Sequence, residues 1–220
     1  MIDLIKKLID FVLHIDVHLT AIIAEYGLWT YGILFLIIFA ETGLVVTPFL
    51  PGDSLLFATG AICAKAEAGL SVHVVAALLW AAAVLGDNMN YWIGRAIGPA
   101  VFHREDSIWL RKKHLERAHA FFEKYGGRAI IMARFVPIVR TFVPFVAGVG
   151  RMDYRRYLPF DILGGFAWIY LFSYAGYFFG NQPFVKRNFE VVILAIIVIS
   201  LVPVAVEAFR GWRGARSKGN

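Results

Sequence analysis

Apolar and polar residues alternate in long blocks along the chain, and three of the apolar blocks are long enough to cross a membrane. These blocks cover residues 71–97, 159–180 and 191–209. A helix rises about 1.5 Å per residue, so about 20 apolar residues cross a hydrocarbon core of about 30 Å. We therefore predict an all-α, polytopic membrane protein with about three full transmembrane helices.

Residues 28–64 form a further apolar block that is broken in its middle. It contains two carboxylates and three helix-breaking residues: Glu41, Asp53, Pro48, Pro51 and Gly52. The arm after the break, residues 54–64, is too short to cross the membrane. This pattern favours a re-entrant hairpin that returns to the side on which it began, although a single kinked span would have the same composition.

Residues 129–150 repeat this design with the opposite charge. Two arginines and two prolines interrupt the apolar sequence: Arg134, Arg140, Pro137 and Pro144. A charge at membrane depth costs at least about 2.5–3.5 kcal/mol, and proline removes a hydrogen bond from a helix. We therefore expect a second re-entrant hairpin that faces the acidic hairpin inside protein or lines a watery cavity.

Amphipathic patterns precede both hairpins. Residues 1–25 and 103–127 each concentrate apolar side chains on one helical face, which predicts helices that lie in the membrane interface. Basic residues cluster between 95 and 128, just after residue 150, and at the C-terminus. Because basic loops stay in the cytoplasm, this distribution favours re-entry of the second hairpin and a cytoplasmic C-terminus.

This order of elements forms an internal repeat within one membrane domain. Its parts are a first repeat, a second repeat, a final span and a basic tail, at residues 1–98, 103–181, 189–209 and 210–220. The segments at 91–98 and 173–180 also resemble each other. Since the basic clusters give the halves opposite orientations, we predict an inverted repeat, the design of transporters whose site lies near the midplane.

Composition agrees with this class of protein. The 220 residues are 59% hydrophobic and 17% charged, and the net charge of +6 lies beside apolar blocks, so we predict no nucleic-acid partner. The single cysteine, Cys63, excludes an internal disulfide. His14 and His18 are four residues apart but have no carboxylate or thiol at ligand spacing. We predict solvated histidines there, no metal site and no cofactor.

The charged residues of the two hairpins suggest transport of an anion. Arginine offers a planar fork of donors that suits phosphate oxygens, so Arg134 and Arg140 could flank one phosphate. A carboxylate removed from water holds a proton more readily, so Glu41 and Asp53 could couple transport to protons. The alternative is that the two acids simply pair with the two arginines. Asp87 could act as a cap, a packing residue or a third proton site.

Three ordered motifs also carry a family resemblance. They read ETGLVVTPFLPGDS at 41–54, GDNMNYWIGR at 86–95 and RFVPIVRTFVPFVAG at 134–148. The chain resembles the DedA family of bacterial inner-membrane proteins over nearly its whole length. The resemblance implies re-entrant hairpins, an acidic pair at Glu41 and Asp53, an arginine pair at Arg134 and Arg140, and a role in envelope maintenance that depends on the proton motive force. Asp161 departs from the asparagine expected of the family.

Several functions remain open at this point. The resemblance implies a flippase for a lipid phosphate, either undecaprenyl phosphate or a phospholipid, so membrane lipids and protons are the expected partners. A proton-coupled small-ion transporter and a passive scramblase are alternatives. A membrane phosphatase is disfavoured because all six histidines lie outside the charged hairpins, so we predict that the protein is not an enzyme. Glycine pairs at 94 and 98 and at 176 and 180 suit helix packing within one chain or in a homo-oligomer.

Overall fold

The structure is a computed structural model that describes residues 14–44, 52–101 and 125–199. Every regular element in these ranges is helical. The helices are α1 Ile15–Tyr26, α2 Thr30–Gly43, α3 Gly52–Cys63, α4 Val72–Val101, α5 Arg128–Ala133, α6 Pro137–Val149, α7 Tyr154–Phe179, α8 Pro183–Arg187 and α9 Phe189–Ile199. Single turns of 3₁₀-helix lie at Gly27–Trp29 and Ala66–Ala68. The predicted all-α class is confirmed for this part of the chain.

Three of the helical segments are long and apolar enough to cross a membrane. They are Ile15–Gly43, Val72–Gly98 and Tyr154–Phe179, with 29, 27 and 26 residues. The predicted number of about three such helices is confirmed, and two of them correspond to the predicted spans at 71–97 and 159–180. The predicted span at 191–209 is described only as far as residue 199, as α9. The structure does not describe residues 1–13, the polar segment at 102–124 or the basic tail.

The first of these segments differs from the prediction. Residues 1–25 were expected to form an interfacial helix, but α1 continues through the 3₁₀ turn into α2 as one apolar run. Ile15 and Leu19 are buried. Gly27 lies between the two helices. Its φ of 52° is a backbone conformation that residues with a side chain rarely adopt.

The two short hairpin helices each pack on a long helix of the other half of the chain. α3 lies against α7, and α6 lies against α4. Glycines allow both pairs to approach until backbone meets backbone: Gly60 faces Ser173 and Gly176 faces Phe57, while Gly148 faces Tyr91 and Gly94 faces Phe145. The predicted glycine pairs therefore pack helices within one chain.

Two clusters of buried apolar side chains hold these helices together. The larger cluster joins α1, α2, α3, α4, α7 and α9 and includes Leu34, Leu56, Leu79, Trp168 and Ile193. The smaller joins α4, α5, α6 and α7 around the stacked rings of Tyr91 and Tyr157, whose centroids are 4.7 Å apart. The charged side chains of the candidate site lie on or next to the helices that these two clusters join.

Candidate functional site

Arg140 lies between two carboxylates in the interior of the protein. Its Nη2 is 2.5 Å from Oε1 of Glu41, and its Nη1 is 2.5 Å from Oδ1 of Asp53. The residues are 5%, 1% and 8% exposed, so water screens their charges little. The acidic and basic hairpins of the sequence therefore meet through one arginine.

Trp168 on α7 completes this cluster. Its indole N–H donates to Oδ1 of Asp53 at 2.7 Å. The guanidinium carbon of Arg140 lies 4.4 Å from the centre of the indole ring, within the range of a cation–π interaction. One aromatic side chain thus contacts both the anion and the cation, and it orients them from a long helix.

Gly52 gives Glu41 room to reach Arg140. A Cβ atom at position 52 would collide with both carboxylate oxygens of Glu41. Glycine is needed here because the backbone approaches the carboxylate closely. Pro48 and Pro51, which were predicted to break the same hairpin, lie outside the described residues.

Arg134 has a separate pair of carboxylates. Its Nη2 is 2.5 Å from Oδ1 of Asp161 on α7, and it also contacts Oδ2 of Asp87 on α4. All three side chains are buried. Asp87 therefore belongs to an ion-pair cluster with Arg134 and Asp161.

Asn90 joins the two hairpins near Arg140. Its amide nitrogen donates to the backbone oxygen of Thr42 at 3.3 Å and to that of Thr141 at 2.7 Å. These threonines directly follow Glu41 and Arg140 in the chain. A single buried side chain on α4 therefore fixes the backbone beside the acid and beside the arginine.

The two arginines contact different carboxylates in this conformation. Arg134 follows the short helix α5, and a turn separates it from Pro137, which begins α6. Pro144 lies inside α6. Because proline has no N–H, it cannot donate to the carbonyl of Arg140 four residues earlier. Pro144 therefore removes one backbone hydrogen bond from α6 at Arg140.

Sequence reasoning gave Asp161 and Trp168 too little weight. Asp161 was noted only as a departure from the family pattern, yet it is fully buried against Arg134. The signal was present, because Asp161 is a carboxylate in the apolar block at 159–180. Trp168 gave no such signal, since a tryptophan in a membrane helix is unremarkable on composition alone.

The site contains several carboxylates, a group that often binds metal ions in proteins. In the described ranges no three His, Cys, Asp or Glu side chains come close enough together to hold a metal ion. Each buried carboxylate instead lies against an arginine. His14, one of the two histidines considered as ligands, pairs with Glu190 at 3.4 Å.

Comparison with known proteins decides the family. The model of the VTT domain matches residues 50–178, more than half of the chain. The chain belongs to the DedA family. This confirms the resemblance drawn from the three motifs. The match to the VTT domain model begins after Glu41 but includes Asp53, both arginines and Asp161.

Several DedA-family relatives are similar over most of their length. Protein DedA of Escherichia coli K12 is 54% identical over 213 residues, which are 97% of both chains. A membrane protein of Mycobacterium tuberculosis, named as uncharacterised, is 51% identical over 186 residues, 84% of this chain and 81% of its own. The inner membrane protein YghB of Escherichia coli K12 is 32% identical over 192 residues, 87% of this chain and 84% of its own. No solved structure matches.

Proposed function

We propose that the protein is a flippase that moves a lipid phosphate across the bacterial inner membrane and couples this movement to the proton motive force. The observation that carries the proposal is the position of Arg140 between Glu41 and Asp53, buried within apolar helices. A purely structural role would not require such a cluster. Removing these charges from water costs free energy, and hydrophobic side chains of similar size could join the helices without that cost.

In this mechanism the phosphate and the carboxylates compete for the same arginine. A phosphate monoester presents oxygens that the guanidinium fork of Arg140 can bind. When phosphate takes the fork, Glu41 and Asp53 lose their counter-charge in an apolar setting and take up a proton. When the proton leaves, the carboxylate recovers Arg140 and the phosphate is released. Arg134 offers a second contact for the phosphate once Asp87 or Asp161 no longer contacts its guanidinium group.

Glycine contacts support the inverted repeat in this proposal. On the long helices, Gly94 and Tyr91 of α4 each lie 82 residues before their counterparts Gly176 and Ser173 of α7. On the short helices, the counterparts Gly60 and Gly148 of α3 and α6 are 88 residues apart. The glycine contacts of one crossing thus have counterparts in the other, at one spacing on the long helices and another on the short helices. This is expected if the hairpin of each half packs on the span of the other half.

The lengths of the short helices support re-entry. α3 has 12 residues and α6 has 13, which corresponds to about 18–20 Å at about 1.5 Å per residue. Neither helix alone reaches across a hydrocarbon core of about 30 Å. In an inner-membrane protein with a cytoplasmic C-terminus, the acidic hairpin would then open outward and the basic hairpin inward, with the arginines near the midplane. Lipid returned in this way would support maintenance of the cell envelope.

The direct test is lipid movement in liposomes. Purified protein is reconstituted with undecaprenyl phosphate, and flipping is followed with and without an imposed pH gradient. The wild type should flip the lipid at a rate that follows the gradient. Arg140→Ala should abolish flipping, whereas Arg187→Ala, which removes an exposed arginine on α8, should leave it unchanged.

Other outcomes would identify the alternatives. Flipping that is indifferent to the gradient and survives Arg140→Ala would contradict the proposal and indicate a passive scramblase. Proton-coupled ion flux without lipid movement would indicate a small-ion transporter. Release of inorganic phosphate from the lipid would indicate a phosphatase.

A further inference from the structure

The buried charges of the protein do not balance as ordinary ionised groups. In the described ranges the buried acidic side chains are Glu41, Asp53, Asp87 and Asp161. The buried basic side chains there are Arg134 and Arg140. If all six were ionised, two negative charges would remain in an apolar interior, where an uncompensated charge is very unfavourable. The simplest way to remove them is to bind two protons.

The geometry distributes these protons between two separate clusters. Each arginine contacts two carboxylates, and the contacts of Arg140 do not overlap with those of Arg134. Each cluster therefore has one carboxylate in excess. Glu41 and Asp53 are the acids that the proposed transport cycle already uses, so the second excess lies on Asp87 and Asp161.

The second cluster is built so that two carboxylates share one charge. Asp87 and Asp161 reach the same nitrogen of Arg134. Like charges this close cannot both ionise easily, and one proton between them removes the repulsion. Oδ2 of Asp161 is buried, and the Tyr157 hydroxyl faces the Asp161 carboxyl group and can accept a hydrogen bond from it. This is where a carboxyl proton can reside.

Among the residues that the structure describes, no second cation contacts this pair. The charged and titratable groups that face it are Arg134 and, farther away, Arg140 from the turn and helix after α5, together with Tyr154 and Tyr157 on α7. The tyrosines are neutral at physiological pH. They can accept or donate a hydrogen bond but cannot supply a balancing charge.

We propose that Asp87 and Asp161 share one proton beside Arg134 and form a second proton-binding site, separate from Glu41 and Asp53. The site exists in the resting protein whether or not lipid is transported. If the proposed flippase function also holds, the protein can exchange two protons per cycle, one in each cluster, and only this consequence rests on that function.

Infrared spectroscopy can count these protons directly. A protonated carboxyl group has a carbonyl band that an ionised carboxylate lacks. The protein is measured in a maltoside detergent, which has no carbonyl group, at about pH 7.5, where exposed acids are ionised. The wild type should show a band equivalent to two carboxyl groups that shifts on transfer to D₂O.

Substitutions then identify the carboxyl groups that give rise to this band. Asp161→Asn and Asp87→Asn should each remove half of it, because the remaining carboxylate pairs with Arg134 alone. Glu41→Gln should remove the other half. Asp153→Asn, at an exposed helix cap, is the matched control and should change nothing. If one variant of the Asp87–Asp161 pair does not fold, the other variant and the wild-type intensity decide.

The results also separate this site from the transport function. A full wild-type band, with no loss in folded Asp161→Asn or Asp87→Asn, would overturn the second site, as would a wild-type band worth one carboxyl group. The predicted loss in a protein that fails to flip lipid would leave the site established and refute the flippase.

Discussion

The indole N–H of Trp168 donates at 2.7 Å to Oδ1 of Asp53, the same oxygen that Arg140 contacts. The ring of Trp168 also lies under the guanidinium. Trp168 therefore contacts both partners of this ion pair and holds Arg140 in place. A phosphate that withdraws Arg140 would remove this cation from Asp53, and a proton would then neutralise the carboxylate.

The two functions of Trp168 can be separated by substitution. Trp168→Phe keeps a ring under Arg140 but loses the hydrogen bond to Asp53, which should lower the free energy of unfolding by about 1.5–3 kcal/mol. Trp168→Leu should cost a further 0.5–2 kcal/mol or so, because the cation–π interaction is lost as well. Denaturation in detergent measures both. Trp29→Phe, at an exposed tryptophan, is the control, and equal loss in the Phe and Leu variants would refute the ring contact.

Gly52 provides a test of the Glu41 contact that leaves every charge in place. In Gly52→Ala the new methyl group would displace the carboxylate of Glu41 from Arg140. We expect lipid flipping to fall at least about tenfold, the equivalent of about 1.4 kcal/mol, while the protein still folds. Gly32→Ala is the matched control, since a Cβ at position 32 meets nothing within 4 Å. Normal transport by Gly52→Ala would show that the close contact is dispensable.

The helix crossings predict a paired effect on stability. Gly60→Ala and Gly148→Ala would each push a methyl group into the backbone of the facing long helix, and overpacking of this kind costs about 1–3 kcal/mol. Because the two crossings are related by the proposed repeat, the two losses should be similar. Gly32→Ala should be neutral or stabilising. A large loss in only one of the two variants would argue against equivalent crossings.

Neutralising Glu41 should separate binding from coupling. Glu41→Gln keeps the size of the side chain and leaves Arg140 available, so lipid phosphate should still bind. The pH dependence of transport should change, because only Asp53 then remains in this cluster to take up a proton. Flipping rates across a pH series measure this, with Glu25→Gln, at an exposed glutamate, as the control. A Glu41→Gln variant whose rate follows pH as the wild type does would show that Glu41 carries no coupled proton.

The sequence was sufficient for the helical class and for most helix positions, because apolar blocks and prolines mark them directly. Residues 54–64 and 71–97 correspond closely to α3 and α4. The connection of α1 to α2 was not foreseen, because Gly27 marks a helix end but the chain continues through a 3₁₀ turn directly into α2. Helix α8, at Pro183–Arg187, is too short to leave a periodic signal.

The partners within the site were harder to predict than its residues. Charges in apolar blocks identified Glu41, Asp53, Arg134 and Arg140, but opposite charge alone could not say which acid meets which arginine. That choice depends on the turn between Arg134 and Pro137, which directs the two arginines to different neighbours. Asp161 and Trp168 enter the site from α7, a helix whose sequence predicted only a membrane span.

The most direct test of the account is proton uptake when lipid phosphate binds. Undecaprenyl phosphate is added to purified protein in weakly buffered detergent, and the pH change is recorded beside the amount of lipid bound. We predict that the wild type takes up about one proton per lipid more than the double variant Glu41→Gln/Asp53→Asn, because the carboxylate that loses Arg140 to the phosphate becomes protonated, and that Arg140→Ala neither binds lipid nor takes up protons. Binding with the same proton change in the wild type and the double variant would contradict the central claim that phosphate and carboxylates compete for Arg140.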